Sequence, residues 1–122
     1  MNTNCEFCEL NTYILENDLA FVIYDKYPVT KGHALVIPKR HVADYFETSE
    51  EEKRAMQDLA EEIRGVQKQE LSPDGFNIGI NCGEAAGQTI FHVHMHVIPR
   101  YTGDMYDPAG GVRGVIPEKQ KY

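Results

Sequence analysis

Three histidines at alternate positions constrain the fold of this chain more than any other feature of its sequence. His92, His94 and His96 alternate with four apolar residues, Phe91, Val93, Met95 and Val97. Successive side chains on a strand point to opposite faces, so the pattern predicts imidazoles on one face and core residues on the other. We expect this strand to run from Ile90 to Ile98. A merely solvated edge strand would not need three of the chain's five histidines within five positions.

The remaining apolar pattern predicts one helix and three further strands. Short bounded apolar runs favour strands at residues 19–24, 34–37 and 76–80. The helix begins near Ser49, where both Thr48 with Glu51 and Ser49 with Glu52 match a capping box. It ends before the turn that starts at Ser72. Strands around a single helix predict an α+β fold with an antiparallel sheet.

Size and composition predict one domain over residues 1–122, with a cysteine-bearing segment at 1–10 and a tail at 101–122 that wraps the domain or meets a partner. The net charge of −7 disfavours binding to nucleic acid. The sequence lacks an apolar run long enough for a membrane span. An odd number of cysteines, three, fits a reducing compartment, so we expect a cytoplasmic protein.

Two kinds of chemistry suit the histidine face. Two histidines at positions i and i+2 of a strand can grip one metal ion. Alternatively, a neutral imidazole attacks phosphorus and forms a covalent intermediate. That attack requires a ring held in one tautomer and hydrogen-bond donors for the phosphoryl oxygens. The preceding residues Gly87, Gln88 and Thr89 supply such groups nearby.

The chain resembles the histidine-triad (HIT) nucleotide hydrolases and transferases. Its histidine strand matches their triad motif, and residues 25–41, 75–81 and 83–89 are similar to other conserved stretches of that family. The resemblance implies a five-stranded antiparallel sheet with one main helix, and a homodimer. It also implies that His94 attacks the α-phosphorus of a nucleotide without a catalytic cofactor.

The resemblance assigns roles to further residues. His96 would contact the α-phosphate and help the leaving group depart, while His33 and His92 would complete the histidine set. Asp25 would bind the ribose, and a phosphate-binding set would comprise Asn81, Gly87, Gln88 and Thr89. Leu19, Ile23 and Leu35 are candidates for flanking the base, although packing in the core would explain these apolar residues equally well.

A C-x-x-C pair, Cys5 and Cys8, lies near the start of the sequence. Such a pair alone is a weak signal, because free thiols and redox motifs share its spacing, although the βαβ setting of a thioredoxin-like motif is not apparent here. The resemblance implies a structural zinc bound by Cys5, Cys8, His41 and His92. Four protein ligands would leave that ion no open position for catalysis.

The tail is similar to that of bacterial family members that hydrolyse diadenosine polyphosphates. We therefore expect a nucleotide substrate, with adenine the favoured base, and release of a nucleoside monophosphate. Arg100, Arg113 and Lys119 are candidates for contacting the distal phosphates; the alternative is that they are solvated surface charges. The alternatives are a nucleoside phosphoramidase of the same family, a non-catalytic nucleotide-binding protein and a histidine-ligated metalloenzyme.

Overall fold

The computed structural model describes residues 5–122, which form a five-stranded antiparallel sheet and one long helix. The strands are β1 (Leu15–Glu16), β2 (Ala20–Tyr24), β3 (Ala34–Pro38), β4 (Gly75–Ile80) and β5 (Met95–Arg100). Their order across the sheet is β1-β2-β3-β5-β4. The expected α+β class and five-stranded sheet are confirmed.

Helix α1 spans Glu50–Leu71 and begins with the predicted capping box. The Ser49 side chain accepts from the Glu52 amide at 3.0 Å, and the Glu52 carboxylate accepts from the Ser49 amide at 2.8 Å. The alternative box at Thr48 is not formed, because its hydroxyl donates to the Tyr45 carbonyl. The helix stops at Ser72, whose left-handed backbone (φ 51°) cannot continue it.

The two faces of the sheet are covered by different parts of the chain. On one face, α1 packs its buried residues Met56, Leu59 and Ile63 onto the strands. On the other face, the N-terminal segment packs Cys5 and Phe7 against a second apolar cluster comprising Phe21, Leu35 and Ile37. His96 lies opposite Leu35 in the register and therefore shares this second face. The site consequently lies beneath the N-terminal segment, away from the helix.

Two expectations about the strands need correction. The histidine strand begins at Met95, not at Ile90. Residues 90–94 approach β5 as a loop, in which the Val93 amide donates to the Val42 carbonyl at 2.8 Å. Strand β1 was not predicted, because its two residues are too few to show alternation. The helix and strands β2, β3 and β4 occur within two residues of their predicted bounds.

The tail folds back on the domain through hydrogen bonds near β4. The Tyr101 hydroxyl donates to the Lys31 carbonyl, and the Thr102 amide donates to Asp74. Short 3-10 turns follow at Gly111–Val115 and Pro117–Lys119. Within residues 5–122, no helix has both the length and the apolar character needed to cross a membrane.

Candidate functional site

The His94 imidazole is oriented by a backbone carbonyl. Its Nδ1 lies 2.9 Å from the carbonyl oxygen of His92. A carbonyl only accepts hydrogen bonds, so Nδ1 carries the proton of the neutral ring and Nε2 keeps a lone pair. The local cause is the loop before β5, which the Val93–Val42 backbone bond holds in place. This is the tautomer that a nucleophilic attack through Nε2 requires.

His33 and His96 form a hydrogen-bonded pair beside His94. The Val29 amide donates to His33 Nδ1 at 3.0 Å, so the proton of neutral His33 is on Nε2. That nitrogen lies 2.9 Å from His96 Nδ1, which therefore accepts. The proton of His96 is consequently on Nε2. His33 thereby fixes the orientation of the His96 ring and of its one donor, the Nε2–H.

Burial keeps both rings of this pair neutral. The pKa of His33 is lowered by burial, although the nearby Asp25 carboxylate opposes that shift. Burial is also the main reason why the pKa of His96 falls to about 4, and the proximity of His94 and His33 adds to the effect. Neither ring is expected to carry charge at neutral pH, which agrees with the tautomers derived from their hydrogen bonds.

A cavity of about 770 Å³ opens in front of these rings. This volume suits a nucleotide-sized ligand. The predicted site residues that line it are Asp25, Asn81, Gly87, Thr89, His94 and His96. His33 lies behind His96, and its Nε2 is 3.5 Å from an Asp25 carboxylate oxygen. Ile23 and Leu35 line the apolar part of the cavity together with Phe7, Leu10 and Ile90.

Gln88 lies beneath the glycine-rich loop and does not line this cavity. Its side-chain oxygen accepts from the Gly83 amide at 2.8 Å, and its side-chain nitrogen donates to the carbonyls of Ala43 and Ile90. These bonds shape the loop that carries Gly87 and Thr89. Contact between Gln88 and a phosphate therefore stays a prediction.

The structure changes the expectation for Leu19 and leaves the one for the tail cations untested. Leu19 does not flank the cavity but lies in a separate groove with Asn17 and residues of α1. Arg100 is held by both carboxylate oxygens of Asp104 at 2.8 Å. Arg100, Arg113 and Lys119 all lie outside the cavity lining, so their contact with distal phosphates stays a prediction.

The four predicted metal ligands come together next to the loop that precedes β5. The His92 Nε2 donates to the Pro38 carbonyl at 2.7 Å, which leaves Nδ1 unprotonated. That Nδ1 lies 3.4 Å from Cys5 Sγ, 3.6 Å from Cys8 Sγ and 3.3 Å from His41 Nδ1. Cys8 Sγ lies 3.2 Å from His41 Nδ1. We call Cys5, Cys8, His41 and His92 the Cys/His cluster.

The three imidazoles share the face that the N-terminal segment covers, as the alternation predicts. The His92 and His94 rings both contact Phe7, and His96 lies opposite Leu35. Val93, Met95 and Val97 pack in the core on the helix side, whereas Phe91 is exposed.

His92 nevertheless does not face the cavity. Both nitrogens of its buried ring are directed at the Cys/His cluster and at Pro38, not at the cavity. Burial lowers the pKa of the His92 ring. His92 acts on His94 through its backbone: the His92 carbonyl oxygen accepts the hydrogen bond from His94 Nδ1. A pattern of side chains does not predict such a backbone contact.

Phe7 was not predicted as a site residue, yet it lines the cavity and contacts His94. The two ring centroids are 5.1 Å apart and the rings are inclined by 70°. The signal available in the sequence was an aromatic residue between two candidate metal ligands, Cys5 and Cys8. The Val29 amide and the Pro38 carbonyl also act in the site, and backbone groups leave no such signal.

A family model for the HIT domain matches residues 9–103, which include the histidine pair, His94 and the cavity loops. The chain belongs to the HIT family. A 16.1 kDa HIT-like protein of Mycoplasma pneumoniae is 42% identical over 106 residues, covering 82% of this chain and 74% of that protein. Adenylylsulfatase HINT3 of Arabidopsis thaliana is 34% identical, covering 85% of this chain and 56% of the relative.

Solved HIT structures share the fold. A HIT family protein from Bacillus anthracis superimposes with a TM-score of 0.78 at 39% identity, covering 85% of this chain and 78% of the other. A zinc-bound histidine triad family protein from Mycobacterium smegmatis gives a TM-score of 0.76 at 39% identity, with coverages of 84% and 79%.

Proposed function

We propose that this HIT protein is a nucleotidyl hydrolase whose nucleophile is His94 Nε2. The observation that carries the proposal is the His94 Nδ1–H bond to the His92 carbonyl, which leaves the Nε2 lone pair available. The ring also lines a cavity of suitable size. A fixed tautomer removes the need to reorganise the nucleophile before it attacks.

In the proposed reaction the His94 ring attacks and the His96 ring stabilises the charge that develops. His94 Nε2 forms a bond to the α-phosphorus, and the bond between that phosphorus and the leaving group breaks. The His96 Nε2–H donates a hydrogen bond to an oxygen on which negative charge develops. Water then attacks the nucleotidyl-histidine, the N–P bond breaks, and a nucleoside monophosphate leaves with the proton that the water releases. Neutral His94 is regenerated.

The remaining cavity residues bind the substrate in this proposal. Asp25 accepts hydrogen bonds from the ribose hydroxyls, and Asn81, Gly87 and Thr89 contact the phosphate. The apolar side chains of Ile23 and Leu35 pack on the base, which we propose is adenine. The name of the plant relative, an adenylylsulfatase, supports an adenylyl substrate. We propose dinucleoside polyphosphates such as diadenosine polyphosphates as the leading substrate class.

The charge of the cavity favours a second candidate, a nucleoside phosphoramidase. Among residues 5–122, Lys26 is the one lysine or arginine in the cavity lining, against the carboxylates of Glu6, Glu9 and Asp25. A polyphosphate leaving group places several negative charges near this lining, whereas an amine leaving group adds none. The local negative charge therefore disfavours dinucleoside polyphosphates as substrates, whereas it does not disfavour nucleoside phosphoramidates.

Product chromatography tests the function. Diadenosine tetraphosphate and an adenosine phosphoramidate are each incubated with wild type, His94→Ala and the exposed neighbour control Phe91→Ala, with and without chelator. Adenosine monophosphate from wild type and Phe91→Ala but not from His94→Ala is expected. Cleavage of the phosphoramidate alone would show that nucleoside phosphoramidates, not dinucleoside polyphosphates, are the substrate class. Turnover of neither would favour a nucleotide-binding protein, and chelator-sensitive turnover by folded protein would favour a metalloenzyme.

We also propose that the Cys/His cluster holds a structural zinc ion. Zinc–nitrogen bonds of about 2.0 Å and zinc–sulfur bonds of about 2.3 Å place tetrahedral ligand atoms about 3.3–3.8 Å apart. The 3.2–3.6 Å separations in the cluster fit that shape. The unprotonated Nδ1 of His92 is a suitable donor. The ion would tie the N-terminal segment to the loop before β5.

Metal analysis distinguishes this zinc site from a free thiol pair. We expect about one zinc per chain in wild type and in Cys82→Ser, whose thiol lies outside the cluster, and loss of zinc in Cys5→Ser. Zinc that survives in Cys5→Ser would refute the assignment. Because thiolate ligands persist in a reducing compartment, we propose a cytoplasmic location.

A homodimer is the proposed assembly. Strand β4 is an edge of the sheet, and its Ile78 is 54% exposed. Exposed strand edges are commonly covered by another chain or protected by charge. Sedimentation should show a dimer for wild type and a monomer for Ile78→Lys; a monomeric wild type would contradict the assembly.

A further inference from the structure

The Phe7 side chain is 4% exposed and lies between the Cys/His cluster and the nucleophile. Its ring meets the His94 ring edge to face, with centroids 5.1 Å apart and an interplanar angle of 70°. It meets the His92 ring in a similar way, at 5.9 Å and 81°. Edge-to-face packing is a preferred geometry for aromatic pairs, so the contact restrains the orientation of both rings.

The His94 ring needs such a restraint. Its bond to the His92 carbonyl fixes the position of Nδ1 but leaves the tilt of the ring about that atom free. Its other ring neighbour is His96, with centroids 5.2 Å apart and planes inclined by 61°. Phe7 and His96 together define the ring plane and hence the direction of the Nε2 lone pair.

Phe7 is itself held in place from three sides. The residues Cys5 and Cys8 on either side of it in sequence belong to the Cys/His cluster. Its own side chain packs into the second apolar cluster, which contains Phe21 and Leu35. A large ring that is fixed in this way can transmit rigidity to the ring that it contacts.

We propose that Phe7 is a positioning residue that keeps His94 Nε2 directed at the α-phosphorus. The proposal rests on the proposed role of His94. It predicts that loss of the aromatic ring slows the chemical step, because small errors in the alignment of a nucleophile reduce its rate steeply. A residue that only lined the cavity would affect substrate binding instead.

The test compares Phe7→Leu with Phe21→Leu. Both variants exchange a buried phenyl ring for an aliphatic side chain within the same apolar cluster. The Phe21 ring stacks on Tyr13, with centroids 4.2 Å apart, so it serves as the matched control. Zinc content is measured in both variants to establish that the Cys/His cluster is equally occupied. If Phe7→Leu does not fold, Phe7→Met fills a similar volume without the ring.

The first readout is nitrogen-15 NMR of the imidazoles without substrate. Wild type and Phe21→Leu should show sharp His94 signals for a ring protonated on Nδ1, whereas in Phe7→Leu the His94 signals should be shifted or broadened because the tilt of the ring is no longer restrained. This result does not depend on turnover, so it is informative even if the proposed function fails. An unchanged His94 signal in Phe7→Leu would overturn the proposal.

The second readout is single-turnover nucleotide transfer at saturating substrate. We expect the rate to fall about tenfold or more in Phe7→Leu and less than about twofold in Phe21→Leu. A Phe7→Leu variant with the wild-type rate and only a raised KM would show that Phe7 merely lines the cavity. Equal losses in the two variants would indicate general loosening of the core and would also overturn the proposal.

Discussion

His92 and His94 are two residues apart in one motif, yet their rings meet different surroundings. The His92 ring donates from Nε2 to the Pro38 carbonyl and presents Nδ1 to two thiols and a third imidazole. The His94 ring donates from Nδ1 to the His92 carbonyl and lines an open cavity. In both rings a carbonyl selects the tautomer, but the two carbonyls select opposite ones.

The difference shows how neighbours divide chemically identical side chains into ligand and nucleophile. An unprotonated nitrogen surrounded by other donor atoms suits a closed metal site. An unprotonated nitrogen that faces an open cavity suits attack on a bound substrate. The region around His33 and His96 adds a third arrangement, in which one imidazole donates to another and both stay neutral.

The largest predicted effect comes from exchanging alanine for each of the two rings. His94→Ala should lower turnover about 10³-fold or more while zinc content and thermal stability stay near wild type. His92→Ala should lose the zinc and much of the stability, because metal binding energy contributes to folding. Metal analysis, calorimetry and kinetics on both variants check the contrast. Zinc loss in His94→Ala, or a stable zinc-loaded His92→Ala, would break it.

A smaller effect is predicted for the pair behind the nucleophile. His33→Ala removes the Nε2–H that His96 Nδ1 accepts, so the tautomer of His96 is no longer fixed. We expect turnover to fall about 10–100-fold, with zinc content unchanged, because the stabilising N–H of His96 is then aligned only part of the time. A single-turnover rate equal to that of wild type would show that His96 acts without His33.

The smallest predicted effect is on stability in mild acid. Because the folded pKa of His96 lies below its unfolded value, its contribution is complete above about pH 6.5 and is lost as the pH falls toward 4. Between about pH 7 and pH 5 this one ring should lower the free energy of unfolding by about 2 kcal/mol. Urea unfolding of wild type and His96→Asn at both pH values measures the difference. Parallel losses in the two proteins would contradict a half-buried His96 that is neutral in the folded state.

The predictable parts of the molecule are those that depend on side-chain pattern. The capping box at Ser49 and the apolar stripe of α1 were readable because helix periodicity and end signals are local. The resemblance to HIT proteins located a set of residues that the fold brings together from distant segments, including Asp25 and Asn81.

The features that could not be predicted from the sequence depend on backbone groups and on how the N-terminal segment and the loops pack. His92 keeps the face that the alternation predicts, but the cysteines of the N-terminal segment lie on that face and its ring is directed at them, not at the cavity. Gln88 is committed to the backbone of its own loop, and Leu19 belongs to another groove. Phe7 owes its place to the folding of the N-terminal segment over the sheet, which alternation within the strands does not encode.

The most direct test of the account is capture of the covalent intermediate. Wild type is mixed with an adenylyl substrate, quenched in base within the first turnover, digested and mapped by mass spectrometry. We expect one nucleoside monophosphate group on the peptide that contains His94, attached through an imidazole nitrogen. Rapid turnover with no such adduct, or an adduct on His33 or His96 instead, would contradict the assignment of His94 as the nucleophile.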